Sequence, residues 1–310
     1  MKLKLFENVK NQNLAYVYAL LAVLFWSTVA TAFKLSLTYL SPIQLLFYSS
    51  LSSLSVLFVI LVIQKKLKLI LKSTRRELLY SLFLGLLNPF LYYLVLFKAY
   101  SLLLAQEAQP LNYTWPLVLV ILSILILKQK IKLKDMIPLL IGFTGVVIIS
   151  TRGNILSFSF SNPLGIFLAL SSSLIWATFW ILNMRDGRDA VVKLFLNFLF
   201  GFIFVSIFTA MFSSLIVDQH MGLVGAFYVG LFEMGITFVL WLKALKLSKT
   251  TALIGNLVFL SPFISLIFIH FILHENILPS TFVGLTLIVA GIILQKYSIA
   301  LKSNSSYLER

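Results

Sequence analysis

The chain contains no cysteine, only three histidines and few charged side chains of any kind. Without cysteine it can build no disulfide, iron–sulfur cluster or Cys-ligated zinc, and nothing in it reports on a redox compartment. His220, His270 and His274 are too scattered to suggest a metal site. No Walker A sequence occurs, so ATP is not expected as a direct energy source. Metalloprotease and nucleophile-elbow motifs are missing too, as are the charge rings or filter loops that channels use. No cofactor is expected. Charged residues make up 11% of the 310 positions, against about 25% in a soluble domain. With 60% hydrophobic residues and a mean hydropathy of +1.00, the chain reads as a membrane protein with the lipid bilayer as its solvent.

What charge there is has one dominant sign: 25 Lys and Arg stand against 10 Asp and Glu, for a net charge of +15. The basic residues sit in short segments between apolar runs, where they act as topology signals rather than as a nucleic-acid surface. Apolar runs of about 18–25 residues can cross a bilayer as helices. Ten are expected, at 14–33, 42–63, 78–98, 105–127, 136–151, 164–184, 191–216, 222–244, 250–273 and 278–298. Ser41-Pro42, Asn162-Pro163 and Asp186-Gly187 punctuate them. The first run has no small-residue cleavage site and is read as a retained helix. With the N-terminus inside, every Lys and Arg except Lys34, Lys98 and Arg152 falls on the inner side. The expected topology is therefore N-in, C-in.

The chain also repeats itself. Gly85–Ala99 returns 145 residues later as Gly230–Ala244, Trp26 and Thr28 return as Trp176 and Thr178 at an offset of 150, and Pro116 and Gly145 return as Pro262 and Gly291 at 146. These echoes divide the chain into two five-helix repeats, 1–151 and 152–310. Because five is odd, the second copy is expected upside down, giving two inverted-topology repeats with a site between them. The alternative is a relic of duplication in a structural membrane protein.

Trp-x-Thr at the start of each half, a Pro in each fourth span, a Lys-Ala pair closing each third span and the terminal Leu273-His-Glu275…Gly284…Gly291 pattern resemble the drug/metabolite transporter superfamily, EamA type. Leu111-Asn-Tyr-Thr-Trp-Pro116 is similar to a stretch in the aromatic amino-acid exporters of that superfamily. The resemblance covers about 14–298 and implies a central cavity lined by spans one, three, four, six, eight and nine. Ser27 and Ala177 stand where the family often has Gly, and Tyr48-Ser49-Ser50 lies where a second-span Arg is common.

Several polar and aromatic residues are candidates for the wall of such a cavity. Glu233 falls in the middle of the eighth span, where an ionised side chain costs about 2.5–3.5 kcal/mol and must face protein or water. It is read either as the binder of a substrate amine and carrier of a coupling proton, or as a hydrogen-bonded contact between helices. Its repeat partner is Asn88; Tyr92 and Thr237 follow by four residues each and are expected on the same faces. Gln109, Asn112 and Tyr113 form a polar face near Pro116, matched by Asn256 near Pro262, with the two prolines as possible hinges. Trp26, Trp176 and Trp180 are expected as pocket walls, although packing or interfacial anchoring would suit them too. Glu107 is read as a helix cap, and Lys98 and Lys243 as snorkelling side chains.

The expected function is a secondary transporter of small polar or amphipathic metabolites, such as amino acids, in a cytoplasmic membrane, with export favoured. A sugar-phosphate or nucleotide-sugar carrier would need cations inside the cavity. An intramembrane lipid-modifying enzyme would need clustered Asp, His, Ser or Glu. A monomer is compatible with the sequence.

Overall fold

Helix starts follow the punctuation of the sequence. Ser41 Oγ accepts a 3.2 Å bond from the Gln44 amide while Gln44 Oε1 accepts a 2.9 Å bond from the Ser41 amide, with Pro42 as the first helical residue. Such reciprocal caps satisfy amides that the helix itself leaves unpaired. Thr74 and Glu77 form a second capping box, and Asn162 caps the helix opened by Pro163. Asp189 accepts from the Val191 and Val192 amides.

The computed structural model describes all residues except 1, 128–135, 158–159, 249–253, 255–256 and 309–310. Among the described residues there is no strand. The helices are α1 (Lys2–Leu37), α2 (Pro42–Ile63), α3 (Leu67–Leu71), α4 (Arg75–Gly85), α5 (Tyr92–Leu102), α6 (Ala105–Asn112) and α7 (Trp115–Leu127). They continue as α8 (Met136–Ser150), α9 (Pro163–Met184), α10 (Ala190–Phe212), α11 (His220–Val229), α12 (Ile236–Leu247), α13 (Leu260–Leu273) and α14 (Pro279–Leu308). Two π-helical turns, Leu86–Leu91 and Gly230–Gly235, join α4 to α5 and α11 to α12.

Among the described residues, six segments are long and apolar enough to cross a membrane: Gln12–Leu37, Pro42–Ile63, Arg75–Leu102, Pro163–Met184, Ala190–Phe212 and His220–Leu245. Four apolar helical segments are shorter: α7, Leu140–Ser150, Leu257–Leu273 and Pro279–Leu294. This is a multi-pass membrane architecture, and outward-facing side chains such as Phe167, Phe271 and Val224 are exposed apolar surface that suits lipid.

The structure revises the expected helix at 105–127. It is interrupted at Tyr113–Thr114, between α6 and α7. Pro116 has no amide to donate to the Asn112 carbonyl four residues back, and its ring crowds that carbonyl. The chain therefore stops and restarts with Pro116 in the first turn of α7. Pro262 occupies the first turn of α13 in the same way, just after the short 3-10 turn Leu257–Phe259. Breaks at membrane depth are tolerated where the backbone is buried in protein or faces a cavity.

The packing partners come in matching pairs. α1 lies on α12 and α13, and α9 lies on α5 and α7; α2 packs on α10, and α8 on α14. Close approach at two further seams, α4 on α10 and the Gly230–Gly235 turn on α2, requires glycine. A Cβ on Gly85 would sit 2.5 Å from the Asn197 carbonyl oxygen and 2.7 Å from the Gly201 amide of α10. A Cβ on Gly230 would collide with the Ser49 carbonyl of α2. Small residues let membrane helices approach backbone to backbone, which strengthens dispersion contacts where the hydrophobic effect is weak.

Candidate functional site

The paired helices enclose a cavity of about 440 Å³, lined from α1, α5, α6, α7, α9, α12, the Gly230–Gly235 turn and the Leu257–Phe259 turn. The six spans expected at the wall all contribute, and Ile292 of α14 adds a seventh. The size is in the range that holds a small organic molecule.

Its walls are rich in aromatic side chains. Trp26 and Trp241 meet with ring centroids 5.3 Å apart, and Tyr92 stacks on Trp176 at 4.6 Å. Trp180 stands edge-on to Trp176 at 5.8 Å. Phe238 ties the two walls together from behind, 6.1 Å from Trp26 and 5.6 Å from Trp176. Trp26, Trp176 and Trp180 thus reach the cavity as expected, and Trp241, Phe33, Tyr100 and Trp115 join them without having been singled out in the sequence.

Glu233 reaches the wall from the Gly230–Gly235 turn and is 8% exposed. Tyr93 Oη donates a 3.0 Å hydrogen bond to its Oε1. The turn explains why Thr237 does not share that wall. A π turn closes i to i+5 rather than i to i+4, so four residues no longer bring a side chain back to the same face. Thr237 is fully buried and donates its hydroxyl to the Phe232 carbonyl, five residues earlier. Asn88 likewise leaves the face of Tyr92. Its backbone is extended (φ −147°, ψ 120°) inside the Leu86–Leu91 turn. Its side chain is fully buried, off the cavity wall, with both amide atoms unpaired.

The polar face around Pro116 is present on the wall, with its groups differently engaged. Asn112 accepts from Tyr92 Oη at 3.3 Å and donates to Ser172 Oγ at 2.8 Å, so its amide holds α5 and α9 in place. Gln109 is 3% exposed and its Oε1 has no hydrogen-bond partner. Tyr113 and Pro116 line the wall. Pro262 is buried in α13 away from it, and Asn256 lies outside the described residues.

One end of the cavity is sealed. Phe33, Tyr100 and Gln109 are buried there, below a lattice of polar ties to the start of α6. Glu275 accepts from the Ala105 and Gln106 amides at 2.9 and 3.3 Å. The cap expected from Glu107 is therefore supplied by Glu275, while Glu107 pairs with Arg152 at 2.6 Å. Gln106 bonds the Asn276 carbonyl, the Leu278 amide and Thr281. Lys34 Nζ is held by the Tyr100 and Leu103 carbonyls at 3.0 and 2.9 Å. At the other end Met184 is 64% exposed and Trp180 and Leu245 are half-buried, which marks the mouth.

Charged loops tie the mouth end together. Lys66 pairs with Asp189 at 2.7 Å, and Arg188 pairs with Asp186 at 2.6 Å while donating to Ser81 Oγ. Burial works against ionisation of Asp186, but the Arg188 hydrogen bonds outweigh it and hold the carboxyl below the usual Asp range. Burial opposes ionisation of Asp189 too; Lys66 and the Val192 and Val191 amides more than offset it. Among the described residues no group of three or more His, Cys, Asp or Glu comes together as a metal site.

Family comparison agrees with this multi-pass helical architecture: the sequence profile of the EamA-like transporter family covers residues 13–151 and again 163–295. The chain belongs to the EamA-like transporter family. Among its relatives, an "uncharacterized transporter in sor 3'region" of Acidianus ambivalens is 35% identical over 164 residues, which is 51% of this chain and 62% of that protein. An "uncharacterized transporter" of Clostridium kluyveri is 25% identical over 93% of this chain and 94% of its own length. A third, the "uncharacterized transporter YvbV" of Bacillus subtilis, is 26% identical over 88% of each chain. A crystal structure with 20% sequence identity superposes with a TM-score of 0.65 over 90% of this chain and 95% of that one, a likeness of fold alone. EamA-like membership, with relatives named as transporters, supports a membrane transporter rather than an enzyme.

Proposed function

We propose that this EamA-like protein is a secondary transporter that carries small polar or amphipathic metabolites of amino-acid type across a cytoplasmic membrane, outward in preference. The halves 1–151 and 152–310 act as inverted five-helix repeats, and rocking between them exposes the cavity first to one side and then to the other. The observation that carries this reading is a membrane-embedded cavity sealed at the α6 end, open at the Met184 end and holding one carboxylate, Glu233. An intramembrane acid facing a cavity is a binding or proton-relay site by default. Glu233 serves as both substrate contact and coupling-proton carrier in this scheme.

The reciprocal packing of α1 on α12 and α13 against that of α9 on α5 and α7 supports the two-fold arrangement. Orientation has its own support. The Lys66–Asp189 pair joins two loops expected inside, at the mouth end, whereas Lys34 and Arg152, expected outside, gather at the sealed end. The mouth then faces the cytoplasm, where an exporter loads.

The test is flux in proteoliposomes with a broad metabolite panel, with and without a pH gradient, for wild type and Glu233→Gln. The expected result is saturable flux that Glu233→Gln abolishes or uncouples from the gradient. Unchanged rate, affinity and pH dependence in Glu233→Gln would remove Glu233 from the site. Turnover of a lipid without any flux would favour an enzyme.

A further inference from the structure

Building on the transporter reading of this cavity, we infer that its occupant is an organic amine or ammonium ion with an apolar, preferably aromatic, body. Glu233 is the one formally charged side chain on the described wall; no Lys, Arg or His lines it. The nearest candidate cation at the sealed end, Lys34, is already engaged by two backbone carbonyls. Tyr93 bonds one oxygen of Glu233, and the carboxylate lines a space whose other walls are aromatic and aliphatic side chains with the amides of Gln109 and Asn112. A cation entering that space meets a carboxylate for its charge and the faces of Trp26, Trp176 and Tyr92 for cation–π attraction, which grows when the pair is desolvated. The Gln109 Oε1, buried and without a partner, adds a second acceptor for N–H groups.

A carboxylate on the occupant has no such welcome. Asn112 gives one N–H to Ser172 and accepts from Tyr92, which leaves it a single neutral N–H and no positive charge to offer a carboxylate. A buried anion with no cation to answer it is strongly unfavourable, and Glu233 would repel it. An amino acid gains at its ammonium end and loses at its carboxylate end. The same molecule without the carboxylate keeps only the gain. The cavity of about 440 Å³, with the touching ring pairs Trp26–Trp241 and Tyr92–Trp176 among its lining, suits a single-ring body.

Three probes with one ring and different charge separate these cases: 2-phenylethylamine, phenylalanine and 3-phenylpropionate. Binding to the purified full-length protein is measured by titration calorimetry, and exchange of each is measured in proteoliposomes. The amine is expected to bind saturably and at least about tenfold tighter than phenylalanine, whose carboxylate is buried without a cation, with 3-phenylpropionate weakest, since it also lacks the ammonium that bonds Glu233, an interaction worth roughly tenfold or more. Glu233→Gln should weaken the amine about 10- to 100-fold, and Gln109→Leu by about threefold to tenfold, at unchanged elution volume and unfolding temperature. The order of the three probes on wild type needs no variant and holds even where a variant fails to fold. Phenylalanine or 3-phenylpropionate binding as tightly as the amine would overturn the inference, as would exchange of other metabolites with no binding of the amine. Amine binding in the expected order with no flux of any solute would leave the site standing and overturn the transporter reading instead.

Discussion

Tyr93 Oη donates a 3.0 Å hydrogen bond to Glu233 Oε1, joining two residues 140 positions apart. Tyr93 sits on α5 and Glu233 in the π turn before α12, so the bond spans the two halves of the chain. It restrains the carboxylate of a residue that lines the cavity, in a low-dielectric site where the position of a charge matters most. Tyr93→Phe removes the bond while keeping the ring that packs on Tyr92 and Phe97. Substrate affinity should fall about threefold to tenfold, the worth of about 1 kcal/mol for one buried hydrogen bond. Equilibrium binding or the half-saturation concentration for flux checks this, and an unchanged value would mean that Tyr93 plays no part in positioning Glu233.

Part of the wall was legible before any coordinates: Trp26 and Trp176, matched by the internal repeat, both line the cavity. Leu96, Tyr100, Trp241 and Leu245 line it as well, and only the structure places them there. Periodicity worked where the helices are regular: Tyr92, Leu96 and Tyr100 follow one another at intervals of four along α5. It failed at Asn88 and Thr237, because each lies in or beside a π turn where a four-residue step no longer returns to one face. The signals for those turns are faint, a Pro after Asn88 in one and glycines at 230 and 235 in the other. Nor could spacing reveal that Glu275 caps α6, a contact across 170 positions.

The glycine seam predicts a packing cost. Gly85→Val puts a branched side chain where a single Cβ already comes within 2.5 Å of the Asn197 carbonyl. Overpacking of this kind destabilises by about 1–3 kcal/mol. The unfolding temperature of the purified protein should drop, and Gly187→Val, at a position with nothing nearby, should leave it unchanged. Equal midpoints for Gly85→Val and wild type would contradict the close contact between the end of α4 and α10.

The loop ion pairs predict a pH dependence of stability. The carboxyl of Asp186 is held below its ordinary value of 3.8 in the folded protein. A group with a depressed folded pKa stabilises fully above its unfolded pKa and loses that contribution as pH falls through the folded one. Unfolding temperature should therefore be flat from about pH 7 to 5 and fall below about pH 4. Asp186→Asn should lower the plateau and flatten the fall; an identical profile for this variant would show that the pair with Arg188 contributes nothing.

The sealed end depends on Glu275. Loss of a helix cap costs about 0.5–2 kcal/mol, so Glu275→Ala should loosen the seal between α6 and the 275–281 segment. In a chain without native cysteine, an introduced thiol reports this cleanly. With Ala30→Cys on the cavity wall, labelling from the α6 side should rise about threefold or more when Glu275→Ala is added. No rise would mean that the seal is carried by the apolar residues Phe33 and Tyr100 alone.

The central claim is that one cavity, open at the Met184 end, is the route of transport. The most direct measurement is the reaction of Ala30→Cys with a membrane-impermeant thiol reagent applied to each face of sealed vesicles, with flux recorded before and after. The account predicts rapid labelling from the cytoplasmic face, slow labelling from the opposite face, protection by transported solute, and flux blocked in proportion to labelling. Full labelling with flux unchanged would contradict it.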